Sequence, residues 1–291
     1  NMITGAAQMD GAILLVDGSQ GPQQQTREHI LLAGQVGVKR MVVFINKCDS
    51  PDSDEELHEL VQVEVEEMLD QQGFTDTPFV FGSALKALEA AQAGNFDDPW
   101  IAKITELVEA LDNSIPDPTR DMDSPFLLPV EGVHTIGGRG TVVTGRVARG
   151  TIRVGDEVEI VGLTDDEAKP RKVTVTGTQA FHKDVASADA GMNVGILLRG
   201  VKRDEVQHGQ VMAAPGSIKS HTKGKAEFYA LATKEGGRKK PFGPGYRPQF
   251  FFGTTNVTGT ITGLDGADMV LPGEHITMEF DLLKPTGMEQ G

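Results

Sequence analysis

The tetrapeptide NKCD at residues 46–49 has the side chains needed to distinguish guanine from adenine. It follows the apolar run MVVFI at residues 41–45, so it stands where a buried strand ends. The Asp49 carboxylate can accept hydrogen bonds from the guanine N1–H and exocyclic amine, while the Asn46 amide addresses the O6/N7 edge and the Lys47 stem covers the ring. Adenine lacks this donor pair, and a buried Asp49 left unpaired against it would cost roughly 1–3 kcal/mol. The tetrapeptide therefore predicts a guanine site.

A second strand-like run, FVF at residues 79–81, leads directly into GSALK at residues 82–86. A loop at this point can present backbone N–H groups to the purine O6, because small residues let the backbone approach closely. We expect Ser83, Ala84 and Leu85 to form this backing loop. An NKxD sequence alone occurs by chance in many chains, and its competing interpretation is a plain strand-to-helix turn with an aspartate cap. The paired SAL sequence favours the guanine site.

Apolar runs alternate with helical patterns over residues 1–113, which predicts an α/β domain. Near-continuous apolar strands indicate a parallel sheet covered on both faces. A capping box at Ser53 and Glu56, and Asp98 followed by Pro99, mark two helix starts. The predicted strands are residues 12–17, 40–46 and 79–81, and a further helix is predicted over residues 23–36.

Residues 114–124 contain several Pro, Asp and Ser residues and indicate an interdomain linker. From residue 125 onward the hydrophobic period changes to two, and short β-branched runs lie between Gly-rich turns. This pattern is typical of closed or nearly closed all-β domains. We therefore expect an α/β plus all-β protein, with one β-barrel over residues 125–216 and a second, truncated β-barrel over residues 217–291.

The acidic residues are concentrated in the first part of the chain. The net charge is −15 overall, yet residues 1–124 have 7 Lys and Arg against 23 Asp and Glu, whereas residues 125–291 have 20 against 19. Residues 217–256 hold eight basic side chains against two acidic ones, which is compatible with a polyanion contact or with a solvated loop rim. A single cysteine excludes a disulfide framework and favours a reducing compartment. No apolar run approaches 18 residues, so we expect no membrane association.

Three further sequences narrow the architecture, namely PFLLPVE at residues 125–131, GRGTVVTGRV at 138–147 and GYRPQF at 245–250. Together with the guanine motifs they closely resemble the bacterial and organellar elongation factor Tu family over essentially the whole chain. The segment NMITGAAQMD at residues 1–10 is similar to the family sequence just after its second switch region. The resemblance implies a truncated P-loop-GTPase-type parallel α/β domain followed by two β-barrel domains. We expect this chain to be an internal fragment that lacks the N-terminal phosphate-binding regions and the C-terminal end.

The same resemblance implies GTP and GDP as ligands, Mg²⁺ as cofactor and GTP hydrolysis as activity. No G-x-x-x-x-G-K-[ST] sequence occurs in the 291 residues, so we expect the phosphate loop, the magnesium ligands and the catalytic residues to lie upstream. The guanine-reading positions carry over directly to this chain. They are Asn46, Lys47 and Asp49, with Ser83, Ala84 and Leu85 as the backing loop.

The family's partner is aminoacyl-tRNA, and the resemblance implies three contact patches. The amino-acid pocket maps to the first barrel, the 3′-terminal adenosine to two residues near position 180, and the T-stem backbone to the second barrel. The implied residues are Glu131, His134, Thr144 and Asn193 for the first patch, Gln179 and Phe181 for the second, and Arg238, Lys239, Gln249 and Thr258 for the third.

Three positions depart from the family pattern. Gly132 stands where an acid is common and His134 where Phe is common, which changes the shape and polarity of the amino-acid pocket. Gln179 replaces a usual Glu, keeping an acceptor but losing its charge. For Phe181, ordinary barrel core is the competing interpretation.

We expect a GTP-dependent carrier that delivers aminoacyl-tRNA to the ribosome and is served by a guanine-nucleotide exchange factor, in the cytoplasm or in an organelle. One alternative is a sibling GTPase, such as a selenocysteine-specific factor or the GTPase subunit of a sulfate-activating enzyme. Another is a non-enzymatic, tRNA-binding double-barrel module.

Overall fold

The computed structural model describes residues 9–52, 54–137, 140–164 and 171–290. The chain divides into two compact units, Asn1–Pro118 and Thr119–Gly291. The predicted cap at Ser53, the segment 1–8 and Gly138-Arg139 of the glycine-rich motif lie outside the described residues.

The first unit is a three-stranded parallel sheet with helices between its strands. The strand order is β1-β2-β3, and both pairings are parallel, as the alternating pattern predicts. The elements in chain order are β1 (Ala12–Asp17), α1 (Gln24–Gln35), β2 (Met41–Asn46), α2 (Glu55–Asp70), β3 (Phe79–Phe81), α3 (Ala84–Gln92) and α4 (Pro99–Ser114).

The central strand β2 carries the core of this unit. Residues 41–45 are all at most 3% exposed, and α1 and α2 pack Ile30, Val61 and Leu69 against the sheet. The prediction that both faces are covered holds for β2 but not for β1, where Ile13 is 46% and Leu15 61% exposed. Side chains alternate across a strand, so one face of β1 reaches the core while the other does not.

Two helix caps were predicted, and one needs correction. Asp98 caps α4 by accepting a hydrogen bond from Trp100 N–H at 2.9 Å, with Pro99 at the first helical position, as predicted. The cap of α2 is Asp54, whose Oδ1 accepts from Leu57 N–H at 2.9 Å. Since aspartate is as good a cap as serine, the local sequence offers both, and the helix begins after the second.

The second unit opens with an eight-stranded antiparallel sheet. The sheet order is β4-β13-β8-β9-β12-β6-β5, with β10 paired to β9, while β7 and β11 form a separate ribbon. Leu127 N–H donates to Arg149 O and Ala148 N–H to Leu127 O, so the first strand is bonded to the segment after β6 and the sheet curves round a core. The strands are β4 (Leu127–Pro129), β5 (Gly132–Ile136), β6 (Gly140–Arg146), β7 (Thr151–Arg153), β8 (Glu157–Val161), β9 (Arg171–Ala180), β10 (Lys183–Val185), β11 (Ser187–Asp189), β12 (Asn193–Leu198) and β13 (Val211–Ala213).

A four-stranded antiparallel sheet completes the second unit, with order β14-β17-β16-β15. Hydrogen bonds join it to the preceding sheet. Thr254 Oγ1 donates to Val130 O at 3.0 Å, and Leu163 N–H donates to Pro285 O at 2.7 Å. The strands are β14 (Lys219–Tyr229), β15 (Gln249–Phe252), β16 (Thr255–Leu264) and β17 (His275–Met288).

Candidate functional site

The guanine motifs lie together at one edge of the first unit, where the three parallel strands end. Asp17 and Asn46 are directly paired as the last residues of β1 and β2. Gly82, just after β3, donates its N–H to Ile45 O at 2.9 Å and accepts from Cys48 N–H at 3.2 Å. A Cβ on Gly82 would lie 2.8 Å from the Phe44 ring, so this close approach requires glycine. The loops after β2 and β3 thus form one continuous surface.

Asn46 joins the two motifs through its side chain. Its Oδ1 accepts a hydrogen bond from Ala84 N–H at 2.9 Å. The predicted backing loop needs correction here, because Ala84 and Leu85 form the first turn of α3 and Ser83 is its cap. The Ser83 side chain is buried and accepts from Lys86 N–H at 3.2 Å. A helix N-terminus, rather than an irregular loop, therefore faces the NKCD sequence and contributes a positive dipole end.

Lys47 leaves the end of β2 in the left-handed conformation, with φ of 64°. Its ammonium lies 2.7 Å from Asp17 Oδ2. The other carboxylate oxygen, Oδ1, accepts from Ser19 N–H at 2.9 Å and from Ser19 Oγ at 2.7 Å. Burial acts to raise the pKa of Asp17, but the hydrogen bonds from Lys47 and Ser19 outweigh it and lower that pKa to about 2. The carboxylate is therefore ionised at any physiological pH.

Asp49 is exposed in the structure, which corrects the expectation that its carboxylate is buried. Hydrogen bonding to Glu89 is the largest cause of a raised pKa at Lys86, and the negative charge of Asp49 adds to it. The charge of Asp49 therefore acts on the ammonium of Lys86, the third residue of α3. Burial raises the pKa of the neighbouring Cys48 thiol, whose Sγ donates to Ile45 O at 3.2 Å. Such a thiol is a structural filler rather than a nucleophile.

Two residues that the resemblance implies for the aminoacylated end of tRNA, Thr144 and Gln179, lie in one row across four strands of the second unit. Gly132 pairs with Thr144, Thr144 pairs with Gly195, and Gly195 pairs with Gln179. Directly paired residues share one face of a sheet, so Thr144 and Gln179 point the same way. Two strand spacings separate them, about 10 Å. Only Gly195 lies between them, so no side chain separates Thr144 from Gln179 along this row.

Three further predicted residues flank this row. His134 is two positions from Gly132 and Asn193 two positions from Gly195, so both share the face of Thr144. Glu131 adjoins Gly132 and accepts from Arg146 N–H at 3.3 Å.

The departure at Gly132 has a steric cause. A Cβ there would lie 2.6 Å from Thr144 Oγ1 and 3.0 Å from His134 Nε2. The glycine at 132 and the imidazole at 134 are thus matched to one another and to Thr144.

The hairpin between β9 and β10 presents Phe181 at its tip. Phe181 is 87% exposed, with φ of 49°, which overturns the interpretation of this ring as barrel core. At the base of the hairpin, Gln179 Nε2 donates to Asp184 Oδ1 at 2.6 Å across the strands. The amide oxygen of Gln179 is thereby turned away from Asp184 and is the acceptor that the hairpin offers, together with an open aromatic face.

The predicted T-stem residues fall into two groups on the second sheet. Gln249 and Thr258 are direct partners on β15 and β16, with Gln249 Nε2 donating to Thr258 Oγ1 at 2.6 Å. The Arg238 guanidinium stacks on two rings, 4.9 Å from the Phe242 centroid and 4.5 Å from the Tyr246 centroid.

The loop that carries these rings is tied to β16, because Ile261 N–H donates to Tyr246 O at 2.9 Å. Lys239 is exposed beside Arg238. Two cations thus stand at the rim of this sheet.

Comparison with protein families gives a consistent result along the chain. The family model described as elongation factor Tu GTP binding domain matches residues 1–117. The models described as elongation factor Tu domain 2 and elongation factor Tu C-terminal domain match residues 140–213 and 217–291. The chain belongs to the elongation factor Tu-like GTPases. It is therefore a translational GTPase by family, and its first unit is a guanine-nucleotide-binding domain.

In this elongation factor Tu-like chain, the sequence motifs did not identify two residues at the edge of the sheet where the NKCD sequence lies. Asp17 and Ser19 belong to no motif, and their relation to Lys47 appears only once β1 and β2 are in register. The position of Asp17 in the sequence could have indicated it. A charged residue at the end of an apolar parallel strand lies at the same edge of the sheet as the NKCD sequence.

The described residues of the elongation factor Tu-like chain contain neither a cluster of metal-binding side chains nor a membrane-length helix. Among residues 9–52, 54–137, 140–164 and 171–290, no group of three or more His, Cys, Asp or Glu could hold a metal ion. In that part of the chain, none of the helices has the length and apolarity needed to cross a membrane.

Proposed function

We propose that this chain belongs to a GTP-switched carrier that delivers aminoacyl-tRNA to the ribosomal A site. The observation that supports it best is the row of Gly132, Thr144, Gly195 and Gln179, which aligns the implied amino-acid pocket with the implied adenosine hairpin on one face. A tRNA acceptor end places its esterified amino acid next to its terminal adenosine. The row offers two adjacent subsites in that order.

The first unit supplies the base-recognition half of the nucleotide site in this proposal. Asp49 pairs with the N1–H and amine of guanine, Lys47 covers the ring, and the N-terminus of α3 faces the O6. Asn46 holds that helix in place through Ala84. The phosphate-binding loop has no counterpart in the 291 residues. We therefore assign GTP hydrolysis, with its Mg²⁺, to a part of the protein not included in them.

The second unit supplies the tRNA contacts. Phe181 offers an exposed ring on which the terminal base stacks, and Gln179 offers an acceptor beside it. Arg238 and Lys239 contact phosphates of the T stem, with Gln249 and Thr258 as polar neighbours. Recognition of the stem by backbone shape suits a carrier that accepts many tRNAs, because it requires no base sequence.

The switch follows from the difference between GTP and GDP. Segments that respond to the γ-phosphate would become ordered when GTP is bound, hold tRNA on the carrier, and release it after hydrolysis. A carrier that keeps GDP tightly needs an exchange factor to reload, so we propose one as a further partner. We also propose that the protein works wherever its ribosomes do, in the cytoplasm or in an organelle.

The decisive experiment is filter binding of charged and uncharged tRNA to the full-length protein in its GTP and GDP states. We expect charged tRNA to bind at least about tenfold more tightly in the GTP state, since one subsite reads the amino acid. Thr144→Ala should reduce this preference, whereas Thr135→Ala, on the same sheet but outside the row, should leave it unchanged.

Equal affinity for charged and uncharged tRNA would contradict the carrier. A preference confined to selenocysteinyl-tRNA would support the selenocysteine-specific sibling instead. Guanine-nucleotide binding without any tRNA binding would support a sulfate-activating GTPase subunit. Binding of tRNA without nucleotide dependence would support the double-barrel module.

A further inference from the structure

We propose that Asp17 is a positioning residue for guanine recognition. It holds the Lys47 side chain in place at the edge of the sheet where β1, β2 and β3 end. The inference deepens the proposed function, because it rests on guanine binding by the first unit. It concerns a residue outside the NKCD and SAL motifs. The relation that carries it is the ion pair between Asp17 Oδ2 and Lys47 Nζ at 2.7 Å.

The Asp17 carboxylate is oriented by contacts that do not involve Lys47. Both Ser19 donors, its N–H and its Oγ, bond to Oδ1, at 2.9 and 2.7 Å. The Asp17 side chain is only 21% exposed. Its backbone is fixed by parallel pairing with Asn46, the residue that precedes Lys47. The second oxygen, Oδ2, is therefore presented in one direction, toward the end of β2.

Lys47, by contrast, has little else to hold it. Its side chain is 61% exposed, and its backbone has the left-handed conformation that directs the chain away from β2. A lysine stem has four rotatable bonds, so ordering it on nucleotide binding costs rotamer entropy. The pairing with Asp17 restricts these rotamers in advance. The stem is then ready to lie over a purine ring.

The ion pair also changes which part of Lys47 the ligand meets. With its ammonium bonded to Asp17, Lys47 offers methylene groups to the base rather than an unpaired cation. Its contribution to binding is therefore mainly contact area. We expect this contribution to depend little on salt, unlike a direct contact between lysine and phosphate.

The test is a double-mutant cycle in the full-length protein, read out as the Kd of fluorescent GDP. Asp17→Asn keeps the shape of the side chain and its hydrogen bond from Ser19 N–H but removes the charge. We expect it to raise the Kd about threefold to tenfold, as for a half-buried ion pair. Lys47→Ala should raise the Kd at least as much. In the Lys47→Ala background, Asp17→Asn should have no further effect.

Two further variants test whether the effect of Asp17→Asn is a general effect of charge and whether it depends on the orientation of Asp17. Asp52→Asn removes one negative charge from the loop after Asp49 and should leave the Kd unchanged, because Asp52 lies outside the pair. Ser19→Ala removes one donor to Asp17 Oδ1 and should give a smaller rise than Asp17→Asn. That rise too should vanish in the Lys47→Ala background.

The outcomes separate this inference from the proposed function. An unchanged Kd for Asp17→Asn, or the same rise with and without Lys47, would overturn the positioning role and leave the carrier proposal intact. A cycle with the expected pattern in a protein that does not bind charged tRNA would support the positioning role and contradict the carrier. Absence of GDP binding in the unsubstituted protein would overturn the positioning role as well.

Discussion

Asn46 Oδ1 accepts the N–H of Ala84 at 2.9 Å, across 38 residues of sequence. This one bond makes a single surface from two motifs that follow different strands. The amide of Asn46 is therefore partly committed to the protein, since one lone pair of its oxygen is used by α3, while its NH₂ group can donate to a ligand. The bond also ties the N-terminus of α3 to the end of β2, and because its donor is the Ala84 backbone N–H, it constrains the residue type at position 46.

Replacing Asn46 by alanine should weaken guanine-nucleotide binding. The substitution leaves the Ala84 N–H without its acceptor and frees the first turn of α3, at a cost of about 1–3 kcal/mol. We expect the Kd of fluorescent GDP to rise about fivefold to hundredfold. Asn113→Ala, at an exposed position near the end of α4, is the matched control and should bind GDP normally. A normal Kd for Asn46→Ala would show that the bond has no role in the site.

Local periodicity was enough to predict most of the elements. The predicted strand at 12–17 agrees with Ala12–Asp17, and the predicted strand at 79–81 agrees with Phe79–Phe81, because apolar runs report burial directly. Choices between equivalent local solutions were not predictable. The SAL sequence, for instance, suits a loop as well as a capped first turn, and packing of α3 decided it.

Contacts between residues that are distant in sequence could not be predicted either. Nothing in the neighbourhood of Asp17 indicates Lys47, because their contact depends on the register of β1 against β2. The pairing of Gln179 with Asp184 depends likewise on where the hairpin turns. The motifs therefore predicted which two segments meet at the edge of the sheet, while the ion pairs and hydrogen bonds that orient their residues required the three-dimensional structure.

A side chain at Gly132 should disturb the amino-acid pocket. The Cβ of Gly132→Ala would lie 2.6 Å from Thr144 Oγ1, so Thr144 must move. We expect a loss of about 1–2 kcal/mol, seen as a thermal midpoint lower by about 2–8 °C. Gly137→Ala is the control, because its Cβ meets nothing within 4 Å. Adding Thr144→Ala should relieve part of the loss, and a loss that stays the same would disprove this steric account.

A carboxylate at position 179 should be unfavourable here unless Asp184 changes with it. Gln179→Glu places two carboxylates where an amide now donates to Asp184 at 2.6 Å. We expect binding of charged tRNA to weaken about threefold to tenfold, because like charges this close repel. The double variant Gln179→Glu with Asp184→Asn should recover, since the new amide at position 184 can donate in turn. Gln207→Glu adds the same charge elsewhere and should have little effect; an equal effect would point to general repulsion of RNA.

The rings under Arg238 should matter for tRNA binding through Arg238 alone. Tyr246→Ala removes a ring whose centroid is 4.5 Å from the guanidinium, and we expect the Kd for charged tRNA to rise about twofold to fivefold. Tyr246→Phe keeps the ring and should bind normally. Arg238→Ala should lower the slope of log K against log salt by about one, as expected for one lost phosphate contact. If Tyr246→Ala weakened binding equally without Arg238, the ring would have another role.

The pKa of Asp17 gives a direct readout of its pairing with Lys47. Hydrogen bonds from Lys47 and Ser19 overcome the effect of burial and lower this pKa from 3.8 to about 2. We expect NMR titration of the carboxyl carbon to find a low pKa in the unsubstituted protein and a higher one in Lys47→Ala.

Because the folded-state pKa lies below the unfolded value, the ionised form stabilises the folded protein above pH 4. That contribution is lost as the pH falls from about 4 toward 2. The stability difference between the unsubstituted protein and Asp17→Asn should therefore be constant from pH 7 to 5 and shrink below pH 4. A difference that grew on acidification would contradict an ion pair at this position.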